Sequence, residues 1–268
     1  MGVPAGGWRN SGRTPIRRER PFGMSEFLLV LGFAALPAAG NFFGGVLAEV
    51  FRVSERALSL ALHLAAGIVL AVVGLELMPE ALAAGLPWVP LLAFVVGGAI
   101  FIGLDRTIGY VQARMGGGGE KQSGALAIFS GVSMDLFSDG VMIGTGAVVN
   151  PALGLLLAVG QVPADVPEGF AAIATLRNAG ISRKKRIAMA AAFAIPILLG
   201  ATIGYWALRD APEIITLSVL ALTGGALTAV VVEEMIGEAH EGETSQLGPV
   251  FLTAGFALFG AISVYLGS

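Results

Sequence analysis

The chain has 268 residues, of which 55% are hydrophobic and only 13% are Asp, Glu, Lys or Arg. A soluble domain carries about 25% charged residues, so too few polar side chains are present to cover a water-soluble fold, and lipid is expected around much of the protein. The net charge of −3 gives no indication of nucleic-acid binding. The chain has no cysteine, which excludes disulfides, thiolate metal sites and cysteine nucleophiles.

Eight apolar stretches are each long enough to cross a bilayer as a helix, which takes about 20 residues. In chain order they cover residues 26–51, 57–81, 88–111, 125–149, 152–176, 187–208, 214–237 and 248–266. Their length and their lack of alternation argue against the strands of a membrane barrel. The glycine-rich residues 115–124 are expected to form a flexible loop. The sequence therefore predicts an all-α polytopic membrane domain with eight transmembrane helices over residues 24–268.

The first 23 residues are basic, and Met24 begins the first apolar stretch. We therefore expect residues 1–23 to be a disordered basic tail or an extension from an upstream start site. A cleaved signal peptide over residues 17–40 is the alternative, since a basic region precedes an apolar run and small residues there. The apolar character continues through residues 41–51, which favours a membrane span.

Lysine and arginine collect in the connections that follow the first, third and fifth spans, whereas the opposite connections carry only Arg209. The basic residues are Arg52, Arg56, Arg114, Lys121, Arg177, Arg183, Lys184, Lys185 and Arg186. Basic connections face the cytoplasm. We therefore expect a multi-pass protein of the cell membrane, the inner membrane of a bacterium, with both termini outside.

The ends of the second and seventh spans resemble each other. Residues 76–81 read ELMPEA, and residues 234–239 read EMIGEA. These two spans run in opposite directions, as an inverted-topology repeat requires. We therefore expect a 3+2+3 arrangement of the eight spans, and chance similarity between apolar segments is the alternative.

Two consecutive spans carry acidic residues in their interior, where a charge costs about 2.5–3.5 kcal/mol. Asp135 and Asp139 lie four residues apart, and Asp165 and Glu168 lie three apart, so each pair shares one helix face. No Lys or Arg lies deep in either span, and the carboxylates would repel one another unless protons or a cation neutralised them. A divalent cation with oxygen ligands fits this set. The alternative is that interfacial water hydrates acids near the helix ends.

Other polar residues of the spans are secondary candidates. Glu233 and Glu234 in span seven are further candidate metal ligands, and Gln161 is a candidate neutral ligand. His240, with the acidic residues around it, is a candidate exit site at the cytoplasmic end of span seven. His63 in span two is more readily explained as a packing residue that forms hydrogen bonds.

Four segments resemble motifs of the ZIP (Zrt/Irt-like) family of metal transporters. Residues 135–140 (DLFSDG) resemble the HNxxEG motif of span four, and residues 164–169 (ADVPEG) resemble the (H/Q)(N/D)xPEG motif of span five. Residues 233–240 (EEMIGEAH) resemble the EExxPEAH end of span seven, and residues 77–81 (LMPEA) match the end of span two. The similarity covers essentially all of residues 24–268.

The resemblance implies a carrier that moves a divalent metal ion, typically zinc or iron, toward the cytoplasm. It places the metal between spans four and five, with Asp135, Asp139, Asp165 and Glu168 as ligands. It implies no enzymatic activity and no cofactor, since the metal ion is the transported substrate. The expected partners are the divalent cation, the lipid bilayer and, as an alternative to a monomer, a second copy in a homodimer.

The motifs also depart from the family pattern. Leu136 occupies the position of the motif Asn, Ala164 that of a His or Gln, and span six has Ile195 before its Pro where a Glu is common. A single all-oxygen site is therefore expected in place of a two-metal site, which favours Mn²⁺ or Fe²⁺ over Zn²⁺.

Two other classes of protein remain as alternatives. An intramembrane aspartyl protease would need YD and GxGD motifs, which are absent from the sequence. A degenerate membrane receptor or scaffold would keep the fold without transport. The lost ligands at Leu136 and Ala164 favour this second class, and the four carboxylates oppose it.

Overall fold

The computed structural model describes residues 24–115, 120–240 and 246–266. In this part of the chain all regular structure is helical, in eight long helices. They are α1 (Met24–Val50), α2 (Glu55–Ala81), α3 (Trp88–Met115), α4 (Glu120–Val149), α5 (Pro151–Asn178), α6 (Arg183–Leu208), α7 (Glu213–Ala239) and α8 (Gly248–Leu266). The predicted tail over residues 1–23 lies outside the described residues.

The predicted class of an all-α polytopic membrane protein is confirmed. Within the described residues, seven of the eight helices contain a segment with the length and apolar composition of a membrane span, and the exception is α5. This helix is as long as the others and packs against α1, α2 and α4. It differs because it carries acidic residues and Gln161 in its interior.

Residues 115–124 differ from the predicted flexible loop. Helix α3 continues through Met115, and α4 begins at Glu120. The predicted loop was too long at both ends, because Met, Glu, Lys and Gln favour helix. Residues 116–119 lie outside the described part of the chain.

The two helices with acidic interiors are joined by a tight connection with clear local causes. Asn150 precedes α5 in an extended conformation, and its side chain accepts a hydrogen bond from the backbone N–H of Ala152 at 2.9 Å. Pro151 occupies the first helical position, where the N–H that proline lacks would have no helical hydrogen-bond partner. This cap ends α4 and starts α5 within one residue, so the two helices are antiparallel neighbours, as predicted.

Glycine contacts join the helices in four close pairs: α1 with α5, α4 with α6, α3 with α7, and α2 with α8. In every pair each helix places a glycine against a backbone carbonyl of its partner, at a position where a Cβ would collide. The glycines are Gly44 and Gly169, Gly140 and Gly200, Gly97 and Gly225, and Gly67 and Gly255.

These pairs follow the symmetry of an inverted repeat. The repeat exchanges α1, α2 and α3 with α6, α7 and α8, respectively, and it exchanges α4 with α5. Under this exchange the pair of α1 with α5 becomes the pair of α6 with α4. The pair of α3 with α7 likewise becomes the pair of α8 with α2. The equivalent helices α2 and α7 also share a π-helical segment, Val72–Leu77 in one and Val231–Met235 in the other. The packing is that expected of a 3+2+3 arrangement.

The pairs form two groups of helices, which position the acidic residues. One group contains α1, α4, α5 and α6, and the other contains α2, α3, α7 and α8. The groups meet mainly where α5 packs on α2 and α4 packs on α7. The acidic helices therefore lie at the boundary between the groups.

The connections after α1 and after α5 lie on the same face of the bundle, as the basic residues predicted. Arg186 binds both carboxylate oxygens of Glu49, at 2.5 and 2.7 Å. Arg177 donates to the backbone carbonyl of Ala48 and, at 3.4 Å, to that of Phe51. That this face is the cytoplasmic one remains a prediction.

Candidate metal site

Three aspartates from α4 and α5 converge inside the bundle. Asp135 is 6% exposed, Asp139 is fully buried, and Asp165 is 1% exposed. Each offers one carboxylate oxygen that lies within 4.8 Å of the other two. Oxygens bound to one divalent ion through bonds of about 2.1 Å lie about 3–4 Å apart, so small side-chain rotations would be enough to place all three on a single ion.

Glu168 and Gln161 complete the polar surroundings of these aspartates. The half-buried Glu168 lies within hydrogen-bonding reach of Asp135, so the structure brings together all four carboxylates that the sequence singled out. Gln161, which is 1% exposed, donates from Nε2 to Asp139 Oδ1.

The cluster is rich in acceptors that lack donors. Among the described residues, no hydrogen-bond partner is present for Oδ1 of Asp135, Oδ2 of Asp139, Oδ2 of Asp165 or Oε1 of Gln161. A buried acceptor without a partner costs about 1–3 kcal/mol. The buried cationic side chain of the described chain, Arg186, is bound to Glu49. These four oxygens therefore have no protein donor among the described residues to offset their burial, and a cation would supply what they lack.

Of the two candidates in α7, only one approaches the cluster. Glu234 lies beside Gly131, where a Cβ would be 3.6 Å from its Oε1, and Gly131 precedes Asp135 by one turn of α4. Glu234 also interacts electrostatically with Asp135. The side chain of Glu233 is exposed and is not brought into the cluster. The ligand role of both residues remains a prediction.

The residues at which the sequence departs from the motifs lie in apolar surroundings. Leu136 is fully buried in a hydrophobic cluster shared with α1 and α6, and Ala164, 3% exposed, belongs to a second cluster. In α6 the regular helix is interrupted at Phe193, because Pro196 has no N–H for the carbonyl of Ala192. The described ligand set contains no side chain from α6.

One buried polar residue near the site was missed. Asn41 of α1 is fully buried, and neither its amide nitrogen nor its oxygen has a hydrogen-bond partner among the described residues. Its backbone carbonyl faces Gly169, the residue after Glu168. A lone Asn within an apolar span was the available signal, because such residues usually serve a function.

The fold and the cluster define a class of protein: a polytopic membrane protein with a buried cluster of carboxylates, at the boundary of two helix groups, that could hold a metal ion. A family model described as ZIP Zinc transporter matches residues 116–263, which is more than half of the chain and includes all of α4, α5, α6 and α7 and most of α8. The chain belongs to the ZIP family, which confirms the resemblance seen in its motifs.

A curated relative supports the same assignment. The protein named zinc transporter GufA, from Myxococcus xanthus, is 31% identical to this chain over 158 residues. The match covers 59% of this chain and 62% of GufA. The matched part thus spans less than two thirds of that relative.

Proposed function

We propose that this protein transports divalent metal ions across the membrane, toward the cytoplasm, through the carboxylate site between α4 and α5. The observation that carries the proposal is the set of buried oxygens on Asp135, Asp139 and Asp165, several of which have no hydrogen-bond donor among the described residues. Membership of the ZIP family and the name of GufA support the same activity.

The ligand chemistry indicates which ions the site would favour. The cluster offers carboxylate oxygens, with the amide oxygen of Gln161 as a neutral addition, and it contains no imidazole or thiolate. Oxygen ligands suit Mn²⁺ and Fe²⁺, whereas imidazole and thiolate give Zn²⁺ its advantage. We therefore propose that Mn²⁺ and Fe²⁺ are transported at least as well as Zn²⁺.

The placement of the cluster suggests how transport occurs. Asp135 and Asp165 belong to one helix group, whereas Glu234 belongs to the other. Movement of one group against the other would expose the bound ion first to one side and then to the other, as in other transporters with inverted repeats.

Uptake into proteoliposomes tests this function. Labelled Mn²⁺, Fe²⁺ and Zn²⁺ are offered to vesicles that contain the parent protein, Asp165→Asn or Glu168→Gln. Asp210→Asn is the matched control, because its side chain is 82% exposed in the α6–α7 connection. We expect both site variants to lose at least about 90% of uptake, while Asp210→Asn retains it.

The same experiment separates the alternatives. Equal uptake by the parent and the two site variants would contradict the proposal. Binding of metal by the parent without any uptake would favour the degenerate receptor or scaffold.

A further inference from the structure

The two histidines of the chain meet at the end of the bundle where α2 begins and α7 ends. Their ring centroids are 5.2 Å apart, and their planes form an angle of 59°. His63 is 5% exposed, whereas His240 is open to solvent. Neither imidazole is part of the carboxylate cluster on α4 and α5, and the proposed transport does not account for their contact.

Each ring is held in the tautomer that a metal ligand needs. Nδ1 of His63 lies 2.7 Å from the carbonyl oxygen of Ser59, and Nδ1 of His240 lies 2.7 Å from that of Ile236. A carbonyl oxygen only accepts, so Nδ1 donates in both residues. In the neutral rings the lone pair is then on Nε2. Histidines that bind metals commonly donate their other ring N–H to a backbone carbonyl in this way.

We propose that His63 and His240 bind one divalent transition-metal ion through their two Nε2 atoms. Two imidazoles that share a tetrahedral ion through bonds of about 2 Å hold their ring centroids about 5 Å apart, which agrees with the observed 5.2 Å. Imidazole nitrogen suits Zn²⁺, Cu²⁺ and Ni²⁺. Water completes the coordination on the exposed side of His240.

A glycine lets α8 approach the ring of His63 closely. Gly248, the first residue of α8, faces the ring of His63, and a Cβ at this position would lie 2.7 Å from Nε2. A larger residue at position 248 would therefore displace this ring. The hydroxyl of Ser59 donates to the carbonyl of Ala239 at 2.6 Å, which holds α2 and α7 in register next to the two rings.

Pulsed EPR of Cu²⁺ bound to the purified protein, without a polyhistidine tag, tests this site. The method detects the remote nitrogen of a coordinated imidazole, here Nδ1, and counts the imidazoles on each ion. Because the chain has two histidines, a two-imidazole signal identifies the pair. We expect that signal in the parent at one Cu²⁺ per chain, and displacement of Cu²⁺ by excess Zn²⁺.

Variants then assign the signal and separate it from the carboxylate site. His63→Gln and His240→Gln should each leave one imidazole and weaken Cu²⁺ binding at least about 10-fold. Gly248→Ala should weaken it by displacing the His63 ring. Asp165→Asn should keep the two-imidazole signal even if it abolishes uptake, so failure of the transport proposal and failure of this one are distinguishable. If the spectrum of the parent protein does not show two imidazoles coupled to one Cu²⁺, the inference is wrong, whatever the variants show.

Discussion

The substitution Asp165→Asn tests whether the carboxylate cluster is arranged for a cation at the expense of the stability of the metal-free protein. Asn has nearly the shape of Asp and keeps one oxygen, but it removes one negative charge. The substituted side chain is 1% exposed, so solvent does little to screen it. We expect opposite effects on the two states: the metal-free protein becomes more stable, and the metal-bound protein loses stabilisation.

The size of both effects follows from the geometry. Carboxylate oxygens that lie within 4.8 Å of one another repel each other by at least about 3 kcal/mol per ionised pair at an effective dielectric constant of about 20. Proton uptake reduces this penalty, so we expect the free energy of unfolding of the metal-free protein to rise by about 1–3 kcal/mol. Loss of a charged ligand should weaken metal binding about 100-fold, which removes about 2.7 kcal/mol of stabilisation at a fixed saturating metal concentration.

Thermal unfolding in detergent, followed by tryptophan fluorescence, measures both quantities. Each protein is heated in EDTA and again in excess Mn²⁺. Relative to the parent, Asp165→Asn should have an unfolding temperature a few degrees higher in EDTA. The addition of Mn²⁺ should raise the unfolding temperature of this variant less than that of the parent. Asp210→Asn, in an exposed ion pair with Arg209, should change neither value by much. A lower unfolding temperature in EDTA together with an unchanged Mn²⁺ effect would refute the reasoning.

Three further substitutions test the surroundings of the site. Glu234→Gln should raise the KM for metal uptake about 3–10-fold, because it removes a charge from the approach to Asp135, and an unchanged KM in proteoliposomes would place Glu234 outside the pathway. Arg186→Met should lower the free energy of unfolding by up to about 3–5 kcal/mol, because the buried Glu49 then keeps only the exposed Arg183, at 3.6 Å, as an ion-pair partner. The double variant Arg186→Met/Glu49→Met should recover most of the lost free energy of unfolding, as measured by unfolding in denaturant. If the double variant recovers none of it, the pairing of Arg186 with Glu49 does not explain the loss. Gly140→Ala should lower the unfolding temperature and the uptake rate because its Cβ meets the backbone of α6, whereas Gly32→Ala, with nothing within 4 Å, should do neither.

Much of the fold was accessible from the sequence because the membrane imposes simple requirements. Each apolar stretch had to be about 20 residues long, and the observed helices agree with the predicted spans to within a few residues. The spacing of Asp135 with Asp139 and of Asp165 with Glu168 placed each pair on one face. The short connection at Asn150 then made the two faces neighbours, so the cluster itself was predictable.

The remaining features depend on contacts that no local pattern contains. The glycines after the motif carboxylates, Gly140 and Gly169, contact α6 and α1 and do not face each other. The π-helical segments of α2 and α7 shift the hydrogen bonds by one residue, with the N–H groups of Met78 and Ile236 bonded five residues back. Such a shift responds to packing and leaves no signal in composition or periodicity.

The symmetry of the packing explains why the polar residues concentrate on α4 and α5. In the inverted repeat these two helices exchange with each other, and each contacts its own group on one side and the opposite group, through α7 or α2, on the other. A charged residue at this boundary needs a partner in every position that the groups adopt, and a mobile cation meets that need better than a fixed arginine. Glu234 of the other group lies beside Gly131 of α4, so the proposed movement of the groups would change the number of carboxylates around an ion bound by Asp135. The affinity for the ion would then be coupled to the relative position of the groups, which is the property that a transporter requires.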